Sequence, residues 1–192
     1  RDAEAVADQI EMVQFLQTFE ENTLWGRLQQ LVGPRSWGED EPDLAPLAQE
    51  LLADPALLAA HWAWLTSGEA NDSWKLGQAL ASLDVDGRLE SLLPLLERRG
   101  SDHRIICMYV EKRREIKGDA WYEEWFQAQY ARTPADLRLL VNVVWRAGAT
   151  DGVLRLLCDA IKAHPIDDQL ADALGYGRWY GEVSQEGLRE LL

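Results

Sequence analysis

The chain has 192 residues, of which 47% are hydrophobic and 27% charged, as is typical of a globular protein with a sizeable core. Its 33 Asp and Glu outnumber 19 Lys and Arg, and the resulting formal charge of -14 disfavours general binding to nucleic-acid phosphates. No run of about 20 apolar residues predicts a membrane span. The two cysteines offer no disulfide framework, so we predict a cytoplasmic protein.

Short polar residues that favour helix N-caps recur at a nearly constant spacing along the chain. They are separated by 32, 32, 33, 32 and 35 residues and comprise Asn22, Asp54, Asp86, Asp119, Asp151 and Glu186. Apolar residues follow most of these caps at offsets of three, six and ten, which lie on one face of a helix. The residues predicted to face inward together are Leu92, Leu93, Leu96, Trp125, Phe126, Leu157 and Ile161. A Gly or Pro about 14 residues past most caps then ends that helix. The pattern predicts about five two-helix repeats with a period of about 32–33 residues.

The predicted elements run as follows in chain order. Residues 1–21 predict an N-terminal capping helix or the trailing helix of an earlier repeat. Residues 22–192 predict one continuous helical-repeat domain, with units starting near 22, 54, 86, 119, 151 and 186. The second helices of its units are predicted over residues 43–53, 71–83, 102–116, 134–147 and 166–179, and the loop over 33–42 interrupts the first unit. Because the last unit stops abruptly, we expect a lone capping helix there or an excerpt of a longer chain.

Residues 89–104 resemble a HEAT repeat, with Pro94 inside the first helix and Asp102 followed by Arg104 at the turn between the helices. Asp136 and Arg138 occupy the same places one unit later. This resemblance to the HEAT-like and armadillo-like α-helical repeat superfamily covers about residues 22–192. It implies an all-α, right-handed α–α superhelix (a solenoid) whose second helices line one long binding surface. A tetratricopeptide array has a similar period, but the Pro that it expects after the second helix is not found.

Candidate catalytic and metal-binding groups are sparse in this sequence. His61 falls at the repeat position that Phe126 and Cys158 also occupy, so we predict a structural role in the core. His103 and Cys107 have the spacing of half a zinc site, but no second pair accompanies them. We therefore predict no catalytic residue, no metal and no cofactor, and a protein that is not an enzyme. The alternative is a nucleic-acid-processing enzyme that resembles HEAT-like DNA glycosylases, which the nine tryptophans keep open although the acidic charge opposes it.

Residues 36–74 contain eight acids and four tryptophans but no Lys or Arg. Acids beside exposed aromatic rings suit a ligand rich in Lys or Arg. Trp64 is predicted to lie in the core. The predicted partner-binding face consists of Trp37, Glu39, Asp40, Glu41 and Trp62, and a solvated acidic face is the alternative. We predict a scaffold that binds a protein or basic peptide, for example as a recognition module of a larger bacterial-type protein, and make no prediction of its oligomeric state.

Basic residues concentrate in the following part of the sequence, over residues 98–117. Two pairs of opposite charge three residues apart, Glu111 with Arg114 and Lys112 with Glu115, are predicted to support the helix itself. A phosphate-contacting patch is the less favoured alternative.

Overall fold

A computed structural model describes residues 23–34, 40–96, 102–132, 136–163, 183–185 and 189. Within these ranges the regular secondary structure is entirely helical, which confirms the predicted all-α class. The nine helices are α1 (Leu24–Val32), α2 (Ala45–Ala53), α3 (Pro55–Leu65), α4 (Ser73–Leu83), α5 (Arg88–Leu96), α6 (Arg104–Lys117), α7 (Asp119–Tyr130), α8 (Leu137–Ala147) and α9 (Asp151–Ala163). No helix in this part of the chain combines the length and apolar character needed to cross a membrane.

Several sequence predictions lie outside the described residues. They concern the N-terminal helix over residues 1–21, the second helix over 166–179, and Glu186 at the start of the last unit. Trp37 and Glu39 of the predicted partner-binding face also lie outside them.

The helices alternate between two layers. The second helices α2, α4, α6 and α8 pack side by side in chain order, while in the other layer α3 packs on α5 and α7 on α9. Both layers contribute to one core cluster, which takes buried apolar residues from each of the nine described helices. Neighbouring pairs of helices thus bury their apolar faces against one another, as a repeat array requires.

The helices of the other layer begin close to the predicted caps. Asn22 and Glu186 lie outside the described residues, and among the four described caps only Asp54 caps its helix as predicted, accepting from the Ala56 N–H at 3.1 Å. Asp86 does not cap α5, because the carboxylate of Asp84 accepts from the first two helical N–H groups at 2.8 and 2.9 Å. Asp119 and Asp151 are themselves the first residues of α7 and α9. These helices therefore start zero to two residues after the aligned Asp.

Three glycines that each lie between two helices share one backbone conformation. Gly87, Gly118 and Gly148 have φ angles of 70, 84 and 80°, and each lies between a second helix and the first helix of the next unit. Glycine adopts positive φ without the steric cost that a Cβ imposes. This conformation recurs at intervals of about 30 residues, each time just before a helix of the other layer.

The predicted core register holds in α7 and α9, where Trp125, Phe126 and Leu157 are buried. Leu93 in α5 is also buried, whereas the predicted core residue Leu92 is only partly so. The predicted core residues Leu96 and Ile161 are likewise only partly buried.

The prediction that Trp62 lies on the partner-binding surface is wrong, because Trp62 is only 4% exposed. Counted from the aligned Asp, the buried positions of α3 lie one residue later than those of α7, so that Trp62 corresponds to Phe126. One residue rotates a helical face by about 100°. Trp62 therefore takes the core position that the repeat alignment assigned to His61. Trp64, predicted as core, is partly buried, and His61 stacks on Trp25 with ring centroids 5.5 Å apart.

Candidate functional site

The acids of the predicted partner-binding face that the structure describes are Asp40 and Glu41, and both are exposed. Glu41 forms an ion pair with Lys75 of α4, 2.8 Å between Oε1 and Nζ. Elsewhere in the acid-rich stretch, Glu50 pairs with Arg27 of α1 at 2.7 Å. Cations from outside the stretch thus neutralise part of its charge within the fold.

The basic stretch that follows is also paired internally. Its described cations form ion pairs with carboxylates, which are Arg104–Asp102, Lys112–Glu115, Arg113–Glu90, Arg114–Asp119 and Lys117–Glu90. The predicted helix-supporting pair of Lys112 and Glu115 is therefore present, at 2.6 Å. This pairing removes the main argument for a phosphate-contacting patch.

Asp84, Glu90, Tyr109 and Arg113 form a polar network between α4, α5 and α6. The Tyr109 hydroxyl donates to the Asp84 carboxylate at 2.6 Å, and Arg113, only 2% exposed, donates to the Asp84 carbonyl at 2.7 Å. Burial opposes ionisation of Glu90, but hydrogen bonds from Lys117, Arg113 and its other donors outweigh it and lower the pKa of Glu90. Burial and the Asp84 carboxylate raise the pKa of Tyr109. These groups satisfy one another, so we assign the network to stability.

A groove opens on the layer of second helices. This tryptophan groove is a cavity of about 360 Å³ whose walls come from three consecutive helices of that layer. Its lining includes Trp74 of α4, Arg104 and Met108 of α6, and Asn142, Trp145 and Arg146 of α8. Trp145 is 43% exposed, so a large apolar surface remains accessible at the groove.

The two arginines of the groove differ in their surroundings. The Arg104 guanidinium lies 2.7 Å from the Asp102 carboxylate. Arg146 instead donates from Nε to the Met108 sulfur at 2.9 Å. Among the described residues no carboxylate lies within 4 Å of Arg146. Burial raises the pKa of Glu111, whereas the positive charge of Arg146 lowers it in part.

Sequence reasoning missed this groove. In the sequence, Trp74 is one of the four tryptophans of the acid-rich stretch, and Trp145 follows an apolar run that predicts a core helix. The signal was present in α8, where Leu140, Val143, Val144 and Ala147 form the buried face. Trp145 lies off that face, so the helical periodicity predicts that its side chain lies on the accessible side of the helix.

In the part of the chain that the structure describes, no group of three or more His, Cys, Asp or Glu is arranged to hold a metal ion. Cys107 and Cys158 are buried. His103 lies beside Cys107 at the groove and is also buried.

Comparisons with known proteins returned nothing: no protein-family model, no curated protein and no solved structure matches the chain. Function must therefore be inferred from the helix layers and the tryptophan groove themselves.

Proposed function

We propose that this chain is a non-catalytic helical-repeat scaffold that binds a protein or peptide partner through the tryptophan groove. The proposed framework is the right-handed, HEAT-like α–α superhelix of about five units. The serial packing of α2, α4, α6 and α8 and the recurring positive-φ glycines at the unit junctions support it. In such arrays each unit contacts its neighbours and the stacked helices form an extended binding surface.

The observation that carries the proposal is the position and lining of the groove. It opens on the second-helix layer, and its volume of about 360 Å³ lies at the small end of the range of ligand pockets. Trp and Arg are the residue types that most often dominate binding energy at interfaces. Trp74, Trp145 and Arg146 bring both types together at one site, where a peptide side chain could be buried.

The nucleic-acid alternative is less well supported. A polynucleotide needs several uncompensated cations along its phosphates, whereas the described cations of the basic stretch are paired with carboxylates. A cationic partner at the acid-rich stretch remains a prediction, with Asp40 and Glu41 exposed. It has lost Trp62 as its aromatic contact, so we favour the groove as the binding site.

The test compares peptide binding by three proteins. Peptides selected from a displayed random library on the wild-type chain should bind at least about tenfold more weakly to the double variant Trp74→Ala, Trp145→Ala. Trp25→Ala is the matched control, since Trp25 is 39% exposed and belongs to α1 rather than to the groove. Circular dichroism must show that all three proteins are folded.

Equal binding by the double variant and the control would reject the groove as the site. Salt-sensitive binding of a labelled single-stranded oligonucleotide, lost in the double variant, would support the nucleic-acid alternative instead.

A further inference from the structure

We propose that the tryptophan groove recognises an acidic peptide segment in which an Asp or Glu stands beside a large apolar residue. The carboxylate would bind the guanidinium of Arg146, and the apolar side chain would pack against Trp145 and Trp74. This inference rests on the proposed function, because it identifies the chemistry of the partner that the groove binds.

Arg146 has a sulfur atom where other cations near the groove have a carboxylate. In a chain with 33 acids, the cations nearest the groove have carboxylates, Arg104 with Asp102 at 2.7 Å and Lys75 with Glu41 at 2.8 Å. Arg146 has only the Met108 sulfur as a hydrogen-bond partner among the described residues, and a thioether is a weak acceptor. The guanidinium fork has five N–H donors and matches a carboxylate in geometry. Arg146 is exposed, so a bound carboxylate could reach guanidinium N–H groups that have no acceptor among the described residues.

The charge of the groove lining also favours an acidic ligand. The groove lining contains Arg104 and Arg146 but only one acid, Asp102, so it is locally positive in a protein of charge -14. The nearby Glu111 does not neutralise Arg146 by direct contact, and burial raises its pKa. A basic peptide would be repelled by a guanidinium that has no carboxylate in direct contact, whereas an acidic one would be attracted.

An exposed apolar surface lies next to the charge of Arg146. The Arg146 guanidinium lies 5.8 Å from the ring centroid of Trp145, which is 43% exposed. Met108 adds a polarisable thioether that adapts to different apolar side chains. Charge and apolar area thus stand side by side, so the favoured ligand places an acid next to an aromatic or aliphatic residue.

The experiment uses the full chain and a displayed library of random 12-residue peptides. We expect the enriched peptides to carry Asp or Glu within two positions of an aromatic or aliphatic residue. One such peptide, made with its acid and with the acid replaced by its amide, is then titrated against the wild type, Arg146→Gln and Lys162→Gln. Lys162 is an exposed cation of α9 away from the groove and serves as the matched control.

Arg146→Gln should weaken binding of the acidic peptide about tenfold, and Lys162→Gln should change it less than twofold. The amide peptide should bind the wild type and Arg146→Gln equally, because the two changes remove the same interaction.

This inference would be overturned if the selected peptides were basic or neutral and bound Arg146→Gln as tightly as the wild type. If their binding were still lost in the double variant Trp74→Ala, Trp145→Ala, the proposed function would stand. If the peptides bound the double tryptophan variant as tightly as the wild type, this inference and the proposed function would both be overturned. If light scattering shows that the chain dimerises and that Arg146→Gln abolishes the dimer, the occupant is a second copy, and a separate partner is rejected.

Discussion

At Gly77, in the middle of α4, the helix packs directly against the main chain of α6. A Cβ added there would stand 3.1 Å from the carbonyl carbon of Ile105 in α6 and closer still to its oxygen. Ordinary van der Waals contact between such atoms needs about 3.5–4 Å. Since the obstructing atoms belong to the main chain, no side chain can rotate away, and Gly77→Ala must move one helix relative to the other.

The expected cost follows from two opposing effects. Overpacking a well-packed core typically costs about 1–3 kcal/mol, and the contact with backbone at Gly77 places this site at the upper end. Replacing Gly by Ala inside a helix recovers about 1 kcal/mol. We therefore expect Gly77→Ala to lower the free energy of unfolding by about 2 kcal/mol. Because Trp74 and Met108 lie on the same two helices, the substitution should also weaken peptide binding at the tryptophan groove.

Urea unfolding followed by circular dichroism measures this loss, with Gly152→Ala as the control. A Cβ at Gly152 would meet Oε1 of Glu123 at 2.8 Å, and this atom is the end of a flexible side chain that can move away. We expect Gly152→Ala to stay within about 0.5 kcal/mol of the wild type. Equal stability of the two variants would refute the close packing of α4 on α6.

Three further predictions can be checked by urea unfolding at several pH values. Glu90→Gln should cost about 3 kcal/mol at neutral pH, because Arg113 is buried beside it. The difference should vanish as the pH falls through the lowered pKa of Glu90, and a difference that persists in acid would contradict the ionic explanation. Glu111→Gln should be more stable than the wild type at neutral pH, because the raised pKa of Glu111 means that folding favours its protonated form; the gain should disappear below the ordinary glutamate pKa. Trp62→Ala should cost about 3–5 kcal/mol and His61→Ala under about 1 kcal/mol, and the reverse order would restore the register predicted from the repeat.

Much of the helical framework could be predicted from the sequence because helix signals are local. The second helices predicted over 71–83 and 102–116 correspond to Ser73–Leu83 and Arg104–Lys117. Their caps, breakers and apolar spacing all lie within one unit, so no knowledge of distant contacts was needed.

The groove could not be predicted in the same way, because its walls come from three units. Trp74 and Trp145 are separated by 71 positions in the sequence and share one site only because α4, α6 and α8 pack in series. Nor did the spacing of caps reveal the one-residue shift in α3 that buries Trp62. A face defined by apolar offsets is only as accurate as the alignment of the units from which the offsets are counted, since each residue turns the face by about 100°.

Charge patterns in the sequence do not reveal which charges form ion pairs after folding, for a physical reason. The acid-rich and basic stretches supply partners for long-range ion pairs, as in Glu50 with Arg27 and Glu90 with Lys117, which are 23 and 27 residues apart. A chain that separates its charges along the sequence can recombine them when its helices pack. The informative residue is then the cation that packing leaves without a carboxylate. Arg146 is such a residue, and because it lies beside an exposed tryptophan in a groove, it directs the search for function to α8 rather than to either charged stretch.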